Sequence, residues 1–184
     1  MKVWFVLGAA LTMLIAHGAL VSGSAAAEPR AAPAFTHAAA EDWLNSRPLT
    51  WSDLQGQVVL LDVWTFDCWN CYRSIPWLHG IGRRYAGKGL RIVGVHTPEL
   101  KQEYLRANVI AKLKEFEIGF PVMLDNDYSY WNALHNQYWP AFYLVDKKGR
   151  LRAAFAGETH EGDGNARAME GAIEKLLAEN PAYY

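Results

Sequence analysis

Two cysteines are all the chain contains, and they lie together in Cys68-Trp69-Asn70-Cys71. At this spacing two thiols close a small reversible disulfide, and a thiolate at the first sulfur can attack a disulfide elsewhere. Redox exchange is therefore the leading reading. Other uses of paired cysteines fit less well. A structural zinc site needs about four ligands, usually with a second Cys or His pair at short spacing. The histidines at 17, 37, 79, 96, 135 and 160 form no such pair, so no metal is expected. A c-type haem attachment needs His directly after the second cysteine, where this chain has Tyr72. A purely structural bridge across so short a loop would restrict the unfolded chain little. Two inert, buried thiols remain the plain alternative.

The elements around the pair place it. Residues 58–64, Val-Val-Leu-Leu-Asp-Val-Trp, form a near-continuous apolar run, the pattern of a strand covered on both faces. Ile75, Leu78, Ile81 and Tyr85 follow at helical spacing, with Pro76 expected to kink the helix. The cysteines thus fall where a buried strand gives way to a helix. The first turn of a helix offers unpaired N–H groups and partial positive charge, which favours a thiolate at Cys68 and lowers its pKa. Cys71, one turn in, is expected to be more buried and to act as the resolving sulfur. Asp62, inside the apolar run, is expected to carry a raised pKa.

Beyond this unit, residues 90–95 read as a second buried strand. Leu105, Val109, Leu113 and Phe116 mark an amphipathic helix, and residues 121–124 a short strand. Residues 141–145 and 151–155 flank Asp146-Lys147-Lys148-Gly149 as a hairpin. Ala166, Met169, Ile173, Leu176 and Leu177 mark a closing helix, and residues 41–45 a short one. The fold class is α/β, with a central mixed sheet flanked by helices.

Residues 1–27 begin with Lys2, continue with an apolar stretch and end in Ser24-Ala25-Ala26-Ala27. This is the form of a secretory signal peptide cut after Ala27. The alternative is an uncleaved membrane anchor, since residues 3–21 approach the roughly 20 residues needed to span a bilayer. Either way the remainder is expected to be exported, and the periplasm is the expected compartment. Residues 28–40 read as a linker and 41–184 as one domain. The net charge of −1 suggests no nucleic-acid partner.

The sequence resembles thioredoxin-fold proteins, and more narrowly the TlpA-like and DipZ-type exported thiol-disulfide oxidoreductases. Asp62 lies six residues before Cys68, where thioredoxins carry a buried acid. Trp64 and Pro76 match their tryptophan and helix-kinking proline. Trp139-Pro140, ahead of the hairpin, matches the family's cis-proline loop. The stretches 94–99, 124–127 and 138–141 are similar to the DipZ-type subgroup. Residues 100–124 resemble the helix-strand insertion of TlpA-like domains.

The resemblance implies a thioredoxin-like fold and catalysis by Cys68 and Cys71, with Asp62 as proton acceptor for Cys71 through water. It also implies a substrate-binding surface at Trp69, Trp139 and Pro140. The implied function is a protein disulfide reductase working through a mixed disulfide, for example keeping apocytochrome cysteines reduced during cytochrome c maturation. Its partners would be protein disulfide substrates and a membrane thiol reductase as electron donor. A monomer, without cofactor, is expected.

The chain departs from the family at Trp69-Asn70, which is neither Gly-Pro nor Pro-His. It departs again at Asp67, where an acid opposes ionisation of Cys68. Two other functions compete. Thr65, three residues before Cys68, supplies the T-x-x-C part of a peroxiredoxin-like thiol peroxidase site, although Leu61 stands where that site has proline. The other is a non-catalytic metal-binding or chaperone module. His96, Glu158 and His160, at strand ends, are expected to be surface or satisfied polar groups.

Overall fold

A computed structural model describes residues 29–179. The expected signal peptide or anchor, residues 1–27, lies outside the described residues. Among the described residues no helix is long and apolar enough to cross a membrane.

Six strands form one mixed sheet in the order β1-β4-β3-β2-β5-β6. They are β1 (Trp43–Leu44), β2 (Val58–Trp64), β3 (Leu90–His96), β4 (Val122–Leu124), β5 (Ala141–Val145) and β6 (Leu151–Ala156). Strand β2 pairs parallel with β3 along one edge and antiparallel with β5 along the other. All seven of its residues are buried, as its unbroken apolar run implies.

The two faces of β2 divide the core. Val59, Leu61 and Val63 face one layer with Val93, Val95, Met123, Tyr130 and Leu134. Val58 and Leu60 face the other, against Trp77, Leu78 and Ile81 of α1 (Trp69–Arg84) and Met169, Ile173 and Leu176 of α4 (Gly164–Ala178). Trp64 extends that second face to Cys71 and Ile75, and to Val109 and Leu113 of α2 (Arg106–Glu115). Strand alternation therefore puts Asp62, between Leu60 and Trp64, on the face that α1 covers.

Three features differ from the reading of the sequence. Residues 40–42 form a 3-10 turn and residues 43–44 a strand, in place of the short helix expected over 41–45. Trp43 and Leu44 gain more from pairing with Met123 and Val122 at the sheet edge than from one weak helical turn. A further helix, α3 (Ser129–Leu134), had no expectation. It is nucleated by Asp125, whose carboxylate accepts the amides of Tyr130 and Trp131. The segment ahead of residue 40 is held against the domain. Phe35 stacks on Trp51 and Tyr130, and His37 Nε2 lies 3.1 Å from Asp127.

Gly94 of β3 lies opposite Asp62 in the β2–β3 register. A Cβ there would meet Val122 Cγ2 at 3.0 Å, and Phe120 Cε2 and Trp64 Nε1 at 3.1 Å. The absent side chain is what leaves room there for the indole of Trp64. Gly94→Ala is expected to lower stability by about 1–3 kcal/mol, as overpacking does, measured by urea unfolding. A loss under about 0.5 kcal/mol would mean the neighbours yield freely.

Candidate active site

Cys68 is the N-cap of α1, in extended backbone, and its Sγ accepts a hydrogen bond from the Cys71 amide at 3.1 Å. The two sulfurs are joined as a disulfide, with Cα atoms 5.2 Å apart. Cys71 is 3% exposed while Cys68 is half-buried, so the first cysteine is the more accessible of the two. In the dithiol form the same geometry leaves the Cys68 sulfur at a helix N-terminus, where amides stabilise a thiolate. Pro76 sits inside α1 without an amide to return to Tyr72.

Asp62 lies beneath α1, 2% exposed, and its Oδ1 has no hydrogen-bond partner among the described protein groups. Burial in this apolar layer disfavours the charged form and pushes its pKa up to about 8. A carboxyl with this pKa can hold or take a proton near neutral pH.

The rim is aromatic. Trp69 is 66% exposed and stacks on Tyr72 at 5.4 Å. Trp139 and Cys68 both pack against the apolar cluster of Trp64, Phe66, Cys71 and Ile75. Trp139 donates from Nε1 to the Thr97 carbonyl at 3.0 Å and lies 4.2 Å from Trp131. The Trp139–Pro140 bond is cis, and the Pro140 carbonyl accepts from the Gly157 amide.

Other groups at the site were not singled out by sequence reasoning. Glu103, in the 3-10 turn Lys101–Tyr104, is fully buried. Its Oε1 accepts from the Thr65 hydroxyl and from the Asp67 amide at 2.9 Å; Oε2 accepts from the amides of Glu99 and Leu100. Burial acts to raise its pKa, but these hydrogen bonds outweigh burial and hold the carboxyl below its ordinary value. Next to it, Gln102 donates to the Asp67 carboxylate at 2.6 Å. On α1, Ser74 donates to the Asn70 carbonyl at 2.8 Å and accepts from the Thr159 amide at 3.0 Å. This bond ties the loop after β6 to the backbone between the cysteines. No periodic pattern marks Glu103, which lies in a polar stretch that reads as surface.

His96 is not at the surface. It is fully buried, stacked on Phe66 and edge-on to Trp64, with Nε2 3.3 Å from the Thr65 hydroxyl and Nδ1 unpartnered. Burial lowers its pKa to about 4, against the opposing pull of Glu103, so it is neutral at physiological pH. Glu158 receives Arg73 at 3.0 Å and pairs with His160.

A mixed sheet whose buried central strand runs into a C-x-x-C helix, with a cis-proline loop alongside, defines a thioredoxin-like dithiol protein. The fold agrees with that of the thioredoxin-like superfamily protein SPOA0173, with a TM-score of 0.71 and 26% identity over 82% of this chain and 98% of that one. The chain belongs to the AhpC/TSA family, whose model matches residues 29–154. It is 38% identical to protein DipZ of Mycobacterium tuberculosis over 138 residues, which are 73% of this chain and 19% of DipZ. It thus spans about a fifth of that relative. It is 30% identical to the thiol-disulfide oxidoreductase YkuV of Bacillus subtilis over 138 residues, 74% of this chain and 88% of YkuV.

The Asp62 pKa, raised from 3.8 to about 8, has a consequence for folding. The folded protein holds a proton that the unfolded chain releases. The Asp62 contribution to stability is therefore full below about pH 4 and is lost progressively as pH rises to about 8. Asp62→Asn is expected to remove this dependence. It should stabilise the protein at pH 9 by an amount on the order of 5 kcal/mol and leave it nearly unchanged at pH 4. Urea unfolding at the two pH values checks it. Equal effects at both would mean that Asp62 is ionised within the fold.

Proposed function

We propose that the protein is an exported thiol-disulfide oxidoreductase that reduces disulfides in other proteins. The observation that carries this is the asymmetry of the pair: Cys68 half-exposed at a helix N-terminus, Cys71 buried one turn behind it. Similarity to YkuV, a thiol-disulfide oxidoreductase, supports the same reading. Export rests on the sequence of residues 1–27.

In the reaction, the Cys68 thiolate attacks one sulfur of the partner's disulfide. The partner's S–S bond breaks as the Cys68–S bond forms, and the partner's other sulfur leaves as a thiolate. Cys71 then gives its proton, through water, to Asp62 in the minor fraction of molecules where that carboxyl is ionised, and attacks the Cys68 sulfur. The mixed disulfide breaks, and the partner's second sulfur leaves and takes up a proton. The partner gains two electrons and becomes a dithiol, while Cys68 and Cys71 become the disulfide. Asp62, titrating near neutral pH, can accept the proton in this direction and return it when the protein is recycled. Recycling requires a dithiol donor, for which a membrane thiol reductase is the fitting class. Apocytochrome cysteines are one fitting substrate class.

Trp69 directly follows Cys68, and Trp139 packs against the same apolar cluster as Cys68; these and Pro140 are the surface on which an extended peptide would be laid to present its disulfide to Cys68. The peroxidase reading needs the Thr65 hydroxyl turned to the peroxide at Cys68. That hydroxyl donates instead to buried Glu103, which weighs against it.

Cys71→Ala, reduced and mixed with oxidised extracytoplasmic proteins, is expected to accumulate dithiothreitol-sensitive mixed disulfides on non-reducing gels. Cys68→Ser should accumulate none. If Cys71→Ala traps nothing while its Cys68 thiol is free by titration, the reading is wrong.

A further inference from the structure

Glu103 is buried, and its four donors are the Thr65 hydroxyl and the amides of Asp67, Glu99 and Leu100. All four are neutral. They satisfy the carboxylate without cancelling its charge, and among the described residues no ion pair involves Glu103. A net negative charge is therefore fixed in a water-poor site, hydrogen-bonded to the amide of the residue directly before Cys68. The neighbouring Gln102 grips the Asp67 side chain, so the turn Lys101–Tyr104 holds Asp67 by both backbone and carboxylate.

We infer that Glu103 is a positioning residue that locks the loop ahead of Cys68 and sets the acidity of that sulfur. Two effects oppose each other there. The N-terminus of α1 favours the thiolate, and the Glu103 charge disfavours it. Water does not screen Glu103 as it screens a surface acid. A thiol held less acidic leaves the reduced pair less stabilised, which biases the couple towards reducing others. The inference rests on the oxidoreductase reading and supplies the direction of electron flow that the dipeptide Trp69-Asn70 leaves open.

The other ionisable groups around the pair do not replace this role. The Asp67 carboxylate is exposed and bound by Gln102. Asp62 lies beneath α1 and is largely protonated at neutral pH. His96 is neutral, Arg73 is engaged by Glu158, which also holds His160, and Glu99 is exposed.

The test measures the Cys68 pKa from the pH dependence of iodoacetamide alkylation, and the Cys68–Cys71 equilibrium with glutathione. Both are read in the wild type, Glu103→Gln and Asp67→Asn. Glu103→Gln is expected to lower the Cys68 pKa by about half a unit or more. Read at a pH well above the Cys68 pKa, it should also shift the glutathione equilibrium about threefold towards the dithiol, or about 14 mV at 29.6 mV per tenfold. Asp67→Asn should move both less. If Glu103→Gln lowers only the melting temperature and leaves pKa and equilibrium unchanged, the role is structural and the inference fails. Should that variant not fold, the wild-type pKa decides. A value above that of thioredoxin, about 7, supports the inference, and one at or below it overturns it. A wild type that exchanges no disulfides would instead defeat the functional reading, whatever residue 103 does.

Discussion

The site depends on one constraint: β2 is hydrogen-bonded along both edges and covered on both faces. Because β3 and β5 take its backbone groups, the strand can lie at the centre of the sheet. Because its side chains are apolar, helices can cover it. A carboxyl placed on that strand is enclosed in an apolar layer, and its Oδ1 finds no hydrogen-bond partner among the described residues. Asp62 is such a carboxyl, and its raised pKa follows from where it is rather than from any partner. The strand ends at Trp64, and a short turn brings Cys68 to the first amides of α1. Acid, buried sulfur and exposed sulfur are thus placed by one strand-to-helix passage.

Around that passage the electrostatic effects nearly balance. The helix terminus stabilises negative charge on Cys68, while Glu103 and Asp67 oppose it from the loop before. Glu103 survives burial as an anion because four neutral donors converge on it, which is how a carboxylate is kept charged without a counter-ion. Asp62, on β2, has an Oδ1 without a hydrogen-bond partner among the described residues and goes the other way. The two acids differ in charge because four donors converge on Glu103, while Asp62 lies deeper and its Oδ1 has no partner among the described residues. Burying Asp62 costs folding stability at alkaline pH, as functional groups held in unfavourable surroundings do.

Much of this was legible in the sequence. The apolar run 58–64 identified a strand covered on both faces, and an acid inside it announced a perturbed group. The spacing of Ile75, Leu78 and Ile81 identified α1, and the turn residues between 145 and 151 the hairpin. What stayed hidden lacks periodicity. Glu103 sits in a polar stretch, and only the docking of the insertion turn onto residues 65–67 buries it. Helix α3 is six residues long, too short for an amphipathic pattern, and forms on the Asp125 carboxylate. Phe35, in a proline- and alanine-rich segment, is fixed by rings distant in sequence, Trp43, Trp51 and Tyr130. His96 is the last residue of β3, one beyond the strand read from the sequence, and Phe66 stacks on it.

The central claim is that this geometry makes Cys68–Cys71 a donor of electrons to other disulfides. The measurement that tests it most directly is the standard reduction potential of the pair, by equilibration with glutathione or dithiothreitol at pH 7. A value on the reducing side is expected, between about −200 and −270 mV, in the range of glutaredoxins and thioredoxin. A value near −120 mV, that of a strong disulfide donor, would contradict it.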